Sequence, residues 1–476
     1  MDGKSEKRFD LKGVLRELTA EEKVALVSGT DFMHTNPIPR LGVPSVCMSD
    51  GPHGLRKQVK KGDNGVGESE PATAFPTAAA LACGWDEENA RRAGAGIGEE
   101  CRHYGVDVLL GPGLNIKRNP LCGRNFEYYS EDPYLAGTLG AAFAEGVQSA
   151  GADVSLKHFA LNNLENYRFV GDSVADERAM REIYLKPFEI AVKRAKPATV
   201  MCAYNAVGGV PCSENARLLR DVLRREWGFD GLVMTDWGGT RDRVKGVNAG
   251  VDLEMPGDSA YCRRALLDGL KAGTLSEEAL SEAAGNVLRL AQRAGKEPLP
   301  LAVSEHAALA ADIAADCAVL LKNEGALPLS PKGRYFVVGE LFERMRYQGA
   351  GSSMIRPTKL VSPKAAFDAR GVRYVYARGY RADGEADEGL LAEAERAENE
   401  TKGKLALVFA GLTDLSESEG ADREDMRLPR CQQELIDRLV AAGRQIVLVL
   451  FGGSPVELPF ADQCAAILHM YLPGQL

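Results

Sequence analysis

Two aspartates stand where short apolar runs stop at glycine. Leu232-Val233-Met234-Thr235 ends in Asp236-Trp237-Gly238-Gly239, and Ser45 to Met48 runs into Ser49-Asp50-Gly51-Pro52-His53-Gly54-Leu55-Arg56. An apolar run followed by turn residues reads as a buried parallel strand that delivers its acid to the C-terminal end. An aspartate after a strand also serves as a helix cap, so neither makes a site alone. Other runs end in the same way. Val106 to Leu110 precedes a glycine-rich turn and a polar loop holding Arg124, Asp153 to Leu156 precedes Lys157-His158-Phe159, and Ala198 to Cys202 precedes Ala203-Tyr204-Asn205. Asp50, Arg56, Arg124, Lys157, His158, Tyr204, Asp236 and Trp237 together mix forked donors, carboxylates and aromatic faces. That mixture suits a sugar: charged partners for hydroxyls and flat rings for C–H faces. Each has a structural reading too. Arg124 can pair with Glu127, and His158 and Tyr204 can be core residues, whereas a buried Lys157 needs a partner.

Cleaving a glycosidic bond takes two carboxyl groups, one of which holds a proton. Asp236 supplies one. The other must come from elsewhere, and the loop Gly411 to Asp425, after the apolar run Leu405 to Ala410, is rich in acids. Ligands bind outside the carboxyl ends of parallel strands, but acidic runs are commonly solvated loops. Glu417, Glu419 and Asp422 are equivalent on this reading. Tyr347-Gln348-Gly349-Ala350-Gly351-Ser352-Ser353 lacks the lysine and spacing of a phosphate loop.

Positioning these residues requires alternating strands and helices, a pattern that extends over roughly 290 residues, near the size of a (β/α)8 barrel. The expected helices include Asp86 to Tyr104, Pro133 to Ser149, Asp176 to Arg194, Ser213 to Trp227 and Ser276 to Ala294. Six strands are clear, and Ala78 to Cys83 is a candidate degenerate one. Thr19 and Glu22 form a capping-box pattern ahead of them. Glu297-Pro298-Leu299-Pro300 then interrupts the periodicity. A helix Ser304 to Leu321 follows, then strands Tyr335 to Val338, Tyr374 to Ala377, Leu405 to Ala410, Ile446 to Phe451 and Ala465 to Leu472, with helices Asp387 to Thr401 and Cys431 to Ala442. The expected organisation is α/β throughout: a TIM-type barrel over 1–295, a linker over 296–312, and an α/β sandwich with a mostly parallel sheet over 313–476.

With 58 basic against 67 acidic residues the net charge is -9, which argues against a nucleic-acid partner. No apolar run is long enough to span a membrane. Met1 to Leu11 is charged and unlike a secretory signal. The ten cysteines lack a C-x-x-C pair and the six histidines lack H-x-x-x-H, so free thiols in a reducing cytoplasm, and no metal, are expected.

The chain resembles glycoside hydrolase family 3. The resemblance rests on Ser49-Asp50-Gly51-Pro52-His53-Gly54-Leu55-Arg56, Gly123-Arg124-Asn125-Phe126-Glu127, Lys157-His158-Phe159, Tyr204-Asn205, Met234-Thr235-Asp236-Trp237 and Ser418-Glu419-Gly420-Ala421-Asp422-Arg423, which occur in the family's order. It implies an active site between barrel and sandwich, with Asp236 as nucleophile and Glu419 as acid/base. It further implies that Asp50, Arg56, Arg124, Lys157, His158 and Arg168 bind the sugar hydroxyls, that Tyr204 and Trp237 line the pocket, and that Ser353 reaches it. Ala160-Leu161-Asn162-Asn163 replaces the glycine-rich Asp-His loop of the family's N-acetylglucosaminidases, which favours the β-glucosidase branch. The implied reaction is retaining hydrolysis of a terminal β-D-glucoside without cofactor, with the carboxyls about 5–5.5 Å apart. Arg124 and Lys157 are expected to keep Asp236 and Asp50 ionised, and the charge of Asp236 to keep Glu419 protonated. The alternatives are a β-xylosidase, a catalytically silent carbohydrate-binding fragment, and an aldolase using Lys157. Two features depart from the family: Leu121-Cys122 replaces an Arg-aromatic pair, and the chain stops at Leu476 where relatives continue. A shortened second domain is therefore expected, with a homodimer or a complementing C-terminal chain as partner.

Overall fold

A computed structural model describes residues 9–60, 67–257, 259–401 and 404–476; most of the Met1 to Leu11 reading lies outside the described residues. In the first unit five parallel strands pair in chain order: β1 (Met48–Asp50), β2 (Val108–Leu110), β3 (Asp153–Phe159), β4 (Thr199–Cys202) and β5 (Leu232–Thr235). Single bridges carry the pairing onward. Met234–Leu253 and Ser28–Glu254 are parallel, Gly29–Thr35 and His34–Cys47 antiparallel, and the last adjoins β1. The result is a barrel-like ring of five regular strands and three degenerate segments, one of them reversed. Helices Glu87–His103, Pro133–Ser149, Lys186–Ala195 and Glu277–Ala291 belong to the same unit. Ala78 to Cys83 is not a strand: it lies in helix Ala78–Gly84, as a run of alanine and leucine favours. The capping box forms in full, Thr19 and Glu22 exchanging side-chain-to-backbone hydrogen bonds.

Strand side chains alternate between two apolar clusters, so the strands read as continuous apolar runs. Leu109, Val154, Leu156, Val200, Cys202 and Val233 pack outward with the helices. Met48, Val108, Leu110, Met201, Leu232 and Met234 pack into the inner cluster with Leu253 and Met255. Period-two alternation then directs Asp50, two residues after Met48, and Asp236, two after Met234, to the inner side. Lys157 falls on the inner register of β3. A register shift between Leu156 and Phe159 lets His158 share that side while Phe159 returns to the outer cluster.

The second unit is a six-stranded sheet: β6 (Val319–Asn323), β7 (Arg334–Val338), β8 (Arg373–Ala377), β9 (Leu405–Gly411), β10 (Gln445–Phe451) and β11 (Cys464–Tyr471), in the order β6-β11-β10-β9-β7-β8. Five strands are parallel, and β6 is an antiparallel edge. The chain leaves β7 toward β8 on one side and returns to β9 on the other, so a topological switch lies between β7 and β9. The loops after those two strands are the glycine-serine loop and the acidic loop. Helix Val303–Cys317 occupies much of the expected linker and the chain re-emerges as β6, so the helix ends before Leu321. The final residues seat on the first unit: Gln475 is fully buried, donates its backbone N–H to Ala74 O and accepts the Ala74 N–H at its side-chain Oε1.

Candidate active site

Ten of the eleven expected site residues line one cavity of about 580 Å³ between the units: Asp50, Arg56, Arg124, Lys157, His158, Arg168, Tyr204, Asp236, Trp237 and Glu419. Ser353 does not. Its hydroxyl is buried without a partner, and the preceding Ser352 occupies the cavity wall instead, because the chain turns at Gly351 (φ +118°) and presents Ser352 to Glu419.

Asp236 forms the floor. Its Oδ1 accepts the Trp237 N–H at 2.8 Å, leaving Oδ2, which has no hydrogen-bond partner, 3.7 Å from His158 Nε2. Burial, with Arg124, Lys157 and Arg168 adding to it, holds His158 far below the usual imidazole range. The ring is therefore neutral and does not form an ion pair with Asp236. Trp237 is fixed by its Nε1–H to Phe32 O at 2.6 Å, and Tyr204 by its hydroxyl to Trp237 O at 2.9 Å.

Of the three acids left open by sequence, only Glu419 faces the cavity. Glu417 is fully buried, ion-paired to Arg346, and accepts the Gly453 N–H at 2.7 Å. Asp422 docks the loop: its carboxylate accepts backbone N–H groups of Gly123 (3.1 Å), Glu165 (2.9 Å) and Asn166 (2.9 Å) from the first unit. Glu165 reciprocates by accepting the Gly420 N–H at 2.9 Å. Gly123 allows this approach, since a Cβ there would meet Ala421 O at 1.8 Å. Arg56 adds another bond between the units, Nη1 to Gly351 O at 2.9 Å.

The electrostatics reverse the expectation. Burial raises the Glu419 carboxyl, but Arg124, Arg168 and the bonds from Ser352 outweigh it and hold the group well below the carboxylate range. Arg168 Nη1 is 2.8 Å and Arg124 Nη1 3.9 Å from Glu419 Oε1, so local cations decide its charge rather than Asp236. Asp236 is raised, burial prevailing over Arg124 and Lys157 with Glu419 adding to it. Asp50 is pushed up to about 6 by burial in spite of Lys157 and Arg56. The cations expected to keep these two acids ionised do act on them, but desolvation is the larger effect. Arg124 is itself committed to Glu127 at 2.5 Å.

Sequence reasoning missed Phe32, Met201, Ser352, Met354 and Glu165. The first four line the cavity, and Glu165 bonds Arg168 at 2.8 Å. Met201 was legible, because strand alternation puts it on the inner side. Phe32 and Met354 lie in loops with no periodicity to read.

The two-lobed α/β chain places one carboxylate, Asp236, at the strand ends of the first unit and another, Glu419, on an overhanging loop of the second. The glycosyl hydrolase family 3 N terminal domain matches residues 22–290 and the family 3 C-terminal domain residues 318–476, so the chain belongs to glycosyl hydrolase family 3 and its second domain is present. It is 47% identical to the thermostable beta-glucosidase B of Acetivibrio thermocellus, over 98% of this chain and 63% of that protein. It is 40% identical to an exo-alpha-(1->6)-L-arabinopyranosidase of Bifidobacterium longum, over 97% of this chain and 63% of that protein. The chain thus spans 63% of the length of these curated relatives. Among solved structures, a Bifidobacterium adolescentis family 3 beta-glucosidase superposes with TM-score 0.89 at 42% identity, over 97% of this chain and 67% of that one. Beta-glucosidase 3B from Thermotoga neapolitana in complex with glucose superposes with TM-score 0.86 at 35% identity, over 98% of this chain and 72% of that one.

Proposed function

We propose that the chain hydrolyses a terminal β-D-glucosyl residue with retention of configuration. The observation that carries this reading is Glu419, brought from the second unit into the cavity whose floor holds Asp236. Asp236 Oδ2 attacks the anomeric carbon as the bond to the leaving oxygen breaks, and Glu419 gives that oxygen its proton. Water then attacks the glycosyl-Asp236 ester, its proton passes to Glu419, and Asp236 is released as carboxylate. The first step needs Glu419 protonated, whereas the free site holds it ionised. Substrate entry therefore displaces Arg168 from Glu419 before the proton is taken up. The Arg168 guanidinium also lies 4.7 Å from the Tyr204 ring, a contact it holds together with its bond to Glu419. Similarity to beta-glucosidases supports the glucosyl choice. With an aryl β-glucoside, Asp236→Ala is expected to lose activity by about 10⁴-fold or more. Glu419→Ala is expected to lose about 10²–10⁴-fold and to recover with azide on good leaving groups. Near-normal turnover by Asp236→Ala would sink the assignment.

A second reading, a pentopyranosidase, is favoured by the arabinopyranosidase relative. Relative rates on nitrophenyl glucoside, xyloside and α-L-arabinopyranoside decide between them. We place the protein in the cytoplasm, a reading supported by ten free cysteines. A second copy or a complementing chain is the proposed protein partner, supported by the exposed Leu320 and Leu321 on edge strand β6. Light scattering of the purified chain tests it.

A further inference from the structure

Beside the crevice, a second cavity of about 630 Å³ opens along the segment 161–175. The two cavities share Arg168 and no other lining residue. Five asparagines line the second one: Asn119, Asn162, Asn163, Asn166 and Asn205. A carboxamide offers both a donor and an acceptor, as a hydroxyl does. Asn162 is only 1% exposed, yet neither its Oδ1 nor its Nδ2 has a partner. Asn205 Oδ1 is likewise buried and unpartnered, although its Nδ2 donates to Ala160 O, Ala206 O and Ser173 Oγ. Asn163 Nδ2 donates to Ile116 O at 2.5 Å and Asn166 Oδ1 accepts the Asp422 N–H at 3.2 Å, so each amide is held from one end. Buried polar atoms are normally satisfied, and the three unpartnered amide atoms of Asn162 and Asn205 at one cavity mark a site for a polar ligand.

The rim has the complementary character. Tyr167 is 82% and Val174 83% exposed, and Leu164 is exposed beside them. Arg118 and Asp172 contribute one charge of each sign, and Arg168 is committed to Glu165 and Glu419, so the lining does not select an anion. Amides within and apolar faces at the mouth match a ligand whose edge carries hydroxyls and whose faces carry C–H groups.

We propose that this cavity is a second saccharide site, separate from the crevice, that takes a neutral hexopyranosyl unit. The ring packs on Tyr167 and Val174 and its hydroxyls engage the asparagine amides. Equilibrium dialysis of the full chain against radiolabelled glucose tests this by counting bound sugars. The wild-type chain is expected to bind two per chain, and Val174→Arg and Tyr167→Ala, both at exposed positions, one. Trp237→Ala, in the crevice, is also expected to bind one. Two sites in all four chains, or a single site lost in Trp237→Ala and untouched by Val174→Arg, overturns the proposal. The second of these results leaves the sugar reading of the crevice standing. A single site lost only in Val174→Arg upholds the proposal and removes that reading instead, and no binding at all overturns both.

Discussion

Arg168 sits between two acids, one from each unit. It lies 2.8 Å from both Glu165 and Glu419, and with Arg124 it keeps Glu419 ionised. Removing a cation raises a neighbouring carboxyl pKa, so Arg168→Met is expected to move the basic limb of the kcat/KM–pH profile to higher pH. That limb reports the acid of the free enzyme, and an unmoved limb would mean that Arg168 does not control Glu419. Asp50 gives the opposite limb. Its carboxyl titrates at about 6, and the ionised form makes the stronger hydrogen bonds to hydroxyls. The kcat/KM of the wild type is therefore expected to fall as pH drops through about 6. Asp50→Asn should remove that limb and lower kcat/KM about 10- to 100-fold, the scale of a hydrogen bond to a charged group. The residue types that line the cavity were readable in sequence where strand periodicity placed them. Their protonation states were not, because burial competes with partners that are hundreds of residues away in the chain.

At the scale of elements, the acidic loop is held against the first unit by docking bonds. Asp422 and Glu165 clasp it reciprocally, and Gly123 permits contact with the backbone of Ser418 and Ala421, which a Cβ would meet at 2.5 and 1.8 Å. Both contacts are backbone atoms and cannot rotate away. Gly123→Ala is expected to lift the loop and lower kcat at least about 10-fold, with circular dichroism unchanged; full activity would show that docking is dispensable. The parallel strands of both sheets were legible as apolar runs, with ends within two or three residues for most of them. The degenerate barrel segments were not. Ser28, Thr35 and Leu253 pair through single bridges, which leave no run to read, and the alanine-rich stretch expected as one of them is a helix.

Across the whole molecule, the two units are locked by side chains that cross between them. Phe126 of the first is fully buried against Gly349 and Gly453 of the second, where added Cβ atoms would come within 2.5 and 2.4 Å of it. Helix Val303–Cys317 adds a pH-dependent contact: His306 lies 2.9 Å from Glu99 and 3.1 Å from Glu100. Burial lowers its pKa, but the two glutamates prevail and the net shift is upward. A raised folded-state pKa gives stability that is complete below the unfolded value of about 6.5 and is lost as pH rises through the folded value. Urea midpoints are accordingly expected to fall above neutral pH in the wild type and to show less of that dependence in His306→Gln.

Residue types and strand alternation by themselves determined the α/β class, the two-unit order and eight residues of one pocket, because these depend on local periodicity and short-range spacing. Only the tertiary structure decided which of Glu417, Glu419 and Asp422 faces the cavity with Asp236, that Ser352 rather than Ser353 meets Glu419, and that neighbouring cations hold the Glu419 carboxyl low in the free site. Each of those outcomes depends on contacts made after the two units close on each other, where distance, burial and neighbouring charge are set by residues remote in sequence.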